Sequence, residues 1–147
     1  MKNANIIRFN KSILLFTLLL ISVVLLNSCA QKINFAGSSV VPAAEGNVKI
    51  KKDKNNNYSI QVAVSNLAGP ERLQPPRKLY IVWVENAEST SKSIGQITTS
   101  SSRLSKALKA SITAVTTFKP TRVFITAEDD GNIQNPKNLV ILSTEKF

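Results

Sequence analysis

Histidine is absent from the 147 residues, cysteine and tryptophan occur once each, and 6% of the chain is aromatic. Without histidine, no His-based catalytic dyad, triad or metal site can form. A lone cysteine, Cys29, rules out an intramolecular disulfide. Carboxylates are scarce beside amines: nine Asp and Glu face 19 Lys and Arg, a net charge of +10. In a cytosolic protein such a balance points to nucleic acid. The remaining routes to catalysis are Ser-Lys pairs and paired carboxylates.

The amino terminus decides the compartment. Met1 to Lys11 carries Lys2, Arg8 and Lys11 and no acid, and Ile13 to Leu26 is nearly all apolar. This is the basic n-region and apolar h-region of a secretory signal. As a helix, about 14 residues would span about 21 Å, short of a hydrocarbon core of about 30 Å. Leu26-Asn27-Ser28-Cys29 follows at once. These four residues resemble a bacterial lipobox, with Leu26 at the apolar position, Ser28 at the small one, and Asn27 a less usual occupant of its place. The resemblance implies a lipoprotein: cleavage between Ser28 and Cys29, diacylglycerol on the Cys29 thiol, and a fatty acyl group such as palmitate on the new amine. The competing reading is an ordinary secretory signal with a chance cysteine. Acylation would consume the only thiol and so exclude a Cys nucleophile. Two or more acyl chains hold a protein stably, at about 0.8 kcal/mol per buried CH₂.

Export turns the basic charge away from nucleic acid. With Lys2, Arg8 and Lys11 removed, 16 basic residues remain against nine acidic ones, a net +7. The partners expected are the lipid bilayer, through acylated Cys29, and an envelope protein; lipid headgroups or acidic glycans are the anionic alternatives, and a solvated surface without a partner is the plainer one. Ala30 follows Cys29 and no acidic run follows it. By resemblance to lipoprotein sorting signals, this places the protein on the outer membrane, facing the periplasm.

The chain divides into a signal peptide (1–28), a lipidated cysteine with a flexible tether (29–46), and a β domain (47–147). Small residues without sustained periodicity, Ala36-Gly37-Ser38-Ser39 and Pro42-Ala43-Ala44-Glu45-Gly46, mark the tether, with Val40-Val41 as a possible short edge strand. Val48 to Asp53 and Tyr58 to Ser65 alternate apolar and polar residues around an Asn-rich loop, which predicts a hairpin. Asn66 to Arg77, with Gly69-Pro70 and Pro75-Pro76, predicts a crossing between sheets. Leu79 to Val84 is apolar on both parities and predicts a central strand with Trp83 as core anchor; a sugar-stacking platform of Tyr80 and Trp83 is the rival reading. Further strands are expected at Ile94–Thr99, with a bulge at Gly95, and at Ala107–Thr113, where a Leu104, Leu108, Ile112 stripe makes helix a competitor. Arg122–Glu128 and Leu139–Ser143 complete about seven strands. The fold expected is all-β: an immunoglobulin-like antiparallel β-sandwich after a signal helix and tether.

Four segments carry a second resemblance: Tyr80-Ile81-Val82-Trp83-Val84-Glu85, Ser93-Ile94-Gly95-Gln96-Ile97, Val123-Phe124-Ile125-Thr126-Ala127-Glu128, and Leu139-Val140-Ile141-Leu142-Ser143. They are similar to the extracytoplasmic C-terminal domain of anti-sigma-K factors. That implies a shared outer-domain fold; about 11 residues ahead of the apolar run leave no room for the sigma-binding segment of those regulators.

Candidate sites are few. Glu128-Asp129-Asp130-Gly131-Asn132 gathers oxygen ligands but lacks spaced calcium-loop carboxylates and a distal bidentate Glu, so an acidic turn is expected and no metal or cofactor. Ser102 and Lys106 have Ser-x-x-x-Lys spacing, but in a polar stretch that would not depress the lysine pKa. Lys49, Lys51, Lys52 and Lys54 form a basic edge, read first as protection against edge-to-edge pairing and second as an anion-binding surface. The expected function is a non-enzymatic, membrane-anchored envelope lipoprotein with a protein-interaction or scaffolding domain. A binding module for an anionic glycan or lipid, or an outer-domain relative of an anti-sigma regulator, are the alternatives.

Overall fold

In the computed structural model, residues 30–102 and 105–147 are described, with side chains for 30–99 and 108–147. The signal helix and the Ser28-Cys29 junction lie outside the described residues, as do the side chains of Ser102 and Lys106.

Among the described residues the chain forms nine strands: β1 (Gln31–Asn34), β2 (Glu45–Lys52), β3 (Tyr58–Ser65), β4 (Leu79–Glu85), β5 (Ser91–Ile97), β6 (Ser100–Ser102), β7 (Ser105–Thr116), β8 (Arg122–Glu128) and β9 (Val140–Ser143). They make two antiparallel sheets, ordered β1-β2-β3-β7-β6 and β5-β4-β8-β9. The order β2-β3-β7-β6 against β4-β8-β9, with β5 beside β4, is the immunoglobulin arrangement of strands A-B-E-D against C-F-G with an added C′. β1 lies outside that frame and lengthens the first sheet.

Period-two alternation selects the core. Val48 and Ile50 on β2, Ile60, Val62 and Val64 on β3, and Ala110 on β7 face Tyr80, Val82 and Val84 on β4 and Val123, Ile125 and Ala127 on β8. β7 is a strand rather than a helix because Ala110, Ile112 and Ala114 pair in register with Val64, Val62 and Ile60. The long neighbour overrides the local i, i+4 stripe.

β4 is apolar on both parities because it is covered on both faces. Ile81, Trp83 and Phe124 form a second cluster on the far side of their sheet, with Leu79 and Ile133 packed on it. Trp83 is therefore a core anchor as expected, in the cluster on the far side of its sheet rather than between the two sheets. It stacks at 6.4 Å on Phe124 and donates its Nε1–H to Thr126 Oγ1 at 2.8 Å. Trp83 and Tyr80 are both fully buried, which overturns the sugar-platform reading. The β8–β9 loop brings Ile133 over this cluster and is held by Glu128. That carboxylate, 1% exposed, accepts the N–H groups of Lys137 and Asn138 at 3.1 and 3.3 Å.

The expected tether is folded structure. β1 pairs with β2, Lys32 opposite Lys49 and Ile33 opposite Val48. Val41 and Ala44 are buried, and Ala36 donates its N–H to the Ser143 carbonyl on β9 at 2.9 Å. Residues 36–44 thus close the side of the sandwich between β2 and β9. The small residues that suggested flexibility let the chain pass tightly over this edge, while Ile33 and Phe35 supply its apolar grip. β1 and β6 account for the two strands beyond the expected seven. The bulge at Gly95 is present: register shifts between Val82 and Trp83, and Gly95 has φ 137°.

Candidate functional site

The outer face of the β1-β2-β3-β7 sheet is built from the polar parity of each strand. Lys51, Ser59 and Val115 lie level across β2, β3 and β7; Lys32, Lys49, Gln61 and Thr113 form the next row, and Asn34, Asn47, Ala63 and Ser111 the one after. Directly opposed residues of an antiparallel pair have Cα atoms about 4.5–5.5 Å apart, so Lys32 and Lys49 bring two ammonium stems side by side. Opposed like charges destabilise a sheet. None of Lys32, Lys49, Lys51, Lys52 and Lys54 meets a carboxylate within ion-pair distance among the described residues. Ala63, the one small apolar residue in its row, leaves a shallow depression of about 190 Å³ bordered by Lys32, Asn47, Lys49 and Gln61.

The β2–β3 hairpin closes the end of this face. Asp53 Oδ1 accepts N–H groups from Asn55 at 2.7 Å and Asn57 at 2.9 Å, and Asn56 takes the left-handed φ of 64°. The Asn57 N–H above all, with the Asn57 side chain and the Asn55 N–H, holds the Asp53 carboxyl below its ordinary value against some desolvation. A fixed turn projects Lys54 outward. Lys52 folds its ammonium over the Tyr58 ring, 5.7 Å from the centroid.

Lys49, Lys51, Lys52 and Lys54 thus fall on one face and its hairpin, but β2 is a sheet edge only beyond Ile50. β1 occupies the edge from Asn47 to Ile50, so Lys49 does not guard an open edge; Lys51 and Lys52 lie past the end of β1, where the edge-guarding reading still applies. Lys32 was missed because its segment read as a tether. The alternation Lys32-Ile33-Asn34-Phe35 was the available signal: Ile33 and Phe35 pack inward on the core.

The other candidates disperse. Glu128 is turned inward onto its own loop, Asp129 pairs with Arg77 at 2.6 Å, and Asp130 caps the Asn132 N–H at 2.9 Å. Among the described residues, no three His, Cys, Asp or Glu side chains converge as metal ligands, and no helix is long and apolar enough to cross a membrane. The segments Tyr80–Glu85, Ser93–Ile97, Val123–Glu128 and Leu139–Ser143 fall on the four strands of one sheet, β4, β5, β8 and β9.

Comparison with protein-family models, characterised proteins and solved structures finds no match to this chain.

Proposed function

We propose that this protein is a non-enzymatic envelope lipoprotein, anchored through acylated Cys29, whose β-sandwich works as an interaction or scaffolding domain. The observation that carries the reading is Leu26-Asn27-Ser28-Cys29 at the end of an apolar run, with the only thiol of the chain at the cleavage point. The folded domain supports it from the other side, since β1 begins two residues after Cys29. Of the two sheets, β5-β4-β8-β9 has its outer face overlain by its own loop, so the lysine-bearing face is the one left for a partner.

Metabolic labelling with an alkyne fatty acid tests the anchor. Wild type is expected to carry the label and fractionate with membranes, and Cys29→Ala to carry none and to remain uncleaved or soluble. Equal label on both would refute the reading. A second reading, recognition of an anionic glycan or lipid, is favoured by one specific feature: the unpaired lysine row on a sheet that would be more stable without it. Retention on acidic glycan that fades with salt, against a stoichiometric protein recovered from membranes, separates the two.

A further inference from the structure

We infer that the domain seats the β2–β3 hairpin end of its lysine face directly on an acidic phospholipid bilayer. The inference rests on the anchored reading of Cys29 and adds an orientation and a lipid chemistry to it.

The short reach from Cys29 to β1 fixes the orientation. Gln31 lies opposite Ile50 in the β1–β2 pair. Cys29 is two residues from Gln31, and two residues span at most about 7 Å whatever their conformation. From Ile50 the hairpin runs on through Lys51 and Lys52, about 3.3 Å per residue, before the turn at Asp53 to Asn57. Its tip therefore projects at least as far as the anchor can. When the Cys29 acyl chains enter the bilayer, the hairpin meets the headgroups. No spacer lifts the domain away, because the residues expected to form one are β1 and the edge-closing segment.

What the hairpin brings to that surface is suited to acidic headgroups. Lys51, Lys52 and Lys54 are exposed there, and Lys32 and Lys49 stand in the row behind. Val115, 65% exposed and the most exposed large apolar side chain among the described residues, lies level with Lys51 across Ser59. An apolar side chain among lysine stems fits an interface where ammonium groups reach phosphates and the valine enters the acyl boundary. The same end of the molecule carries Asp53, which is tied into the turn, and Lys119. On the other sheet's side Glu85 pairs with Lys146 at 3.0 Å and with Arg122 at 3.5 Å, and Glu88 and Glu145 share that end with Lys92 on β5, so charge there is nearly balanced and the lysine face is the basic side of this end.

The test uses the processed, acylated protein in vesicles of phosphatidylcholine alone or with phosphatidylglycerol. A fluorophore is placed at Asn55→Cys on the hairpin, or at Arg72→Cys in the β3–β4 connection at the far end, and a quencher is carried on lipid headgroups. Strong quenching at position 55 in acidic vesicles and little at position 72 is expected. Each lysine near an acidic surface strengthens association about fivefold. Changing Lys51, Lys52 and Lys54 to Gln should thus lower the docked-to-undocked ratio on the order of 100-fold, as should raising salt. Co-flotation with phosphatidylcholine vesicles and fatty-acid label report the anchor separately. Protein that floats and is labelled, yet shows equal quenching at both positions, overturns the orientation alone. Absence of label and flotation overturns the anchor, and this inference with it. A position-55 signal that responds to a soluble acidic polysaccharide but not to phosphatidylglycerol overturns the lipid assignment.

Discussion

At the scale of single residues, the least common side chains carry the most. Trp83 occupies a site that the sandwich alone would not create, sealed between its sheet and the β8–β9 loop, with its indole N–H satisfied by Thr126. Trp83→Ala should destabilise by about 3–5 kcal/mol in urea melts, the usual cost of losing a buried aromatic. A loss below about 1 kcal/mol would mean the loop does not seal it. Tyr80, on the opposite face of the same strand, donates its hydroxyl to the Ala68 carbonyl at 2.8 Å. Burial, and then the Glu71 carboxylate, push the phenol up to about 12. Its folded pKa is above the unfolded value of about 10, so its contribution is complete below pH 10 and is lost as pH rises through 12. Alkaline denaturation should accordingly steepen between pH 10 and 12. Tyr80→Phe should flatten that stretch of the stability curve; an unchanged slope would contradict the assignment.

At the scale of elements, alternation made most strands legible: β3 and β8 were bounded as the structure has them, because each buries one parity against a long neighbour. What the pattern could not tell was which core a parity faces. β4 reads as a doubly buried strand, but only the chain's return at Ile133 shows that its second face packs under a loop. β1 was hidden for another reason. Four residues with one half-buried apolar side chain, Ile33, give a weak signal beside the glycine and serine that follow. The lysine site inherited that error, since an edge was assigned to β2 while the real edge strand added Lys32 to the row. This pairing makes a separable prediction. Lys32→Gln relieves the opposed ammonium groups of Lys32 and Lys49, so stability should rise by about 0.2–1 kcal/mol at low salt. The gain should shrink toward zero as the Debye length falls below about 10 Å. Docking on acidic vesicles should weaken in the same variant. A gain in stability together with weaker docking is the signature of charge retained for binding; urea melts across a salt series, beside vesicle co-sedimentation, would show whether the two move in opposite directions.

At the scale of the whole molecule, the question is where the folded unit begins. The small-residue stretch from Ala36 to Gly46 suggested a domain starting at Asn47, but the structure gives residues 30–46 three tasks. β1 covers the open edge of β2, Val41 and Ala44 enter the core, and the Ala36 N–H to Ser143 carbonyl bond ties the two sheets at their shared side. A chain begun at Ala30 should unfold in one cooperative transition. One begun at Asn47 loses all three contributions. Full burial of a large apolar side chain contributes about 1.5–3 kcal/mol. Removing Val41 and the partial burial of Ile33 and Phe35 should therefore cost about 3–6 kcal/mol, a large part of what a domain this size has to lose. The exposed β2 edge, from Asn47 to Ile50, would then invite pairing between copies, with Lys49 the only charge on it. Denaturant melts and sedimentation of the two chains decide the matter. Equal stability and a monomeric state for both would return residues 30–46 to the role of a spacer and remove the short reach on which the docked orientation depends.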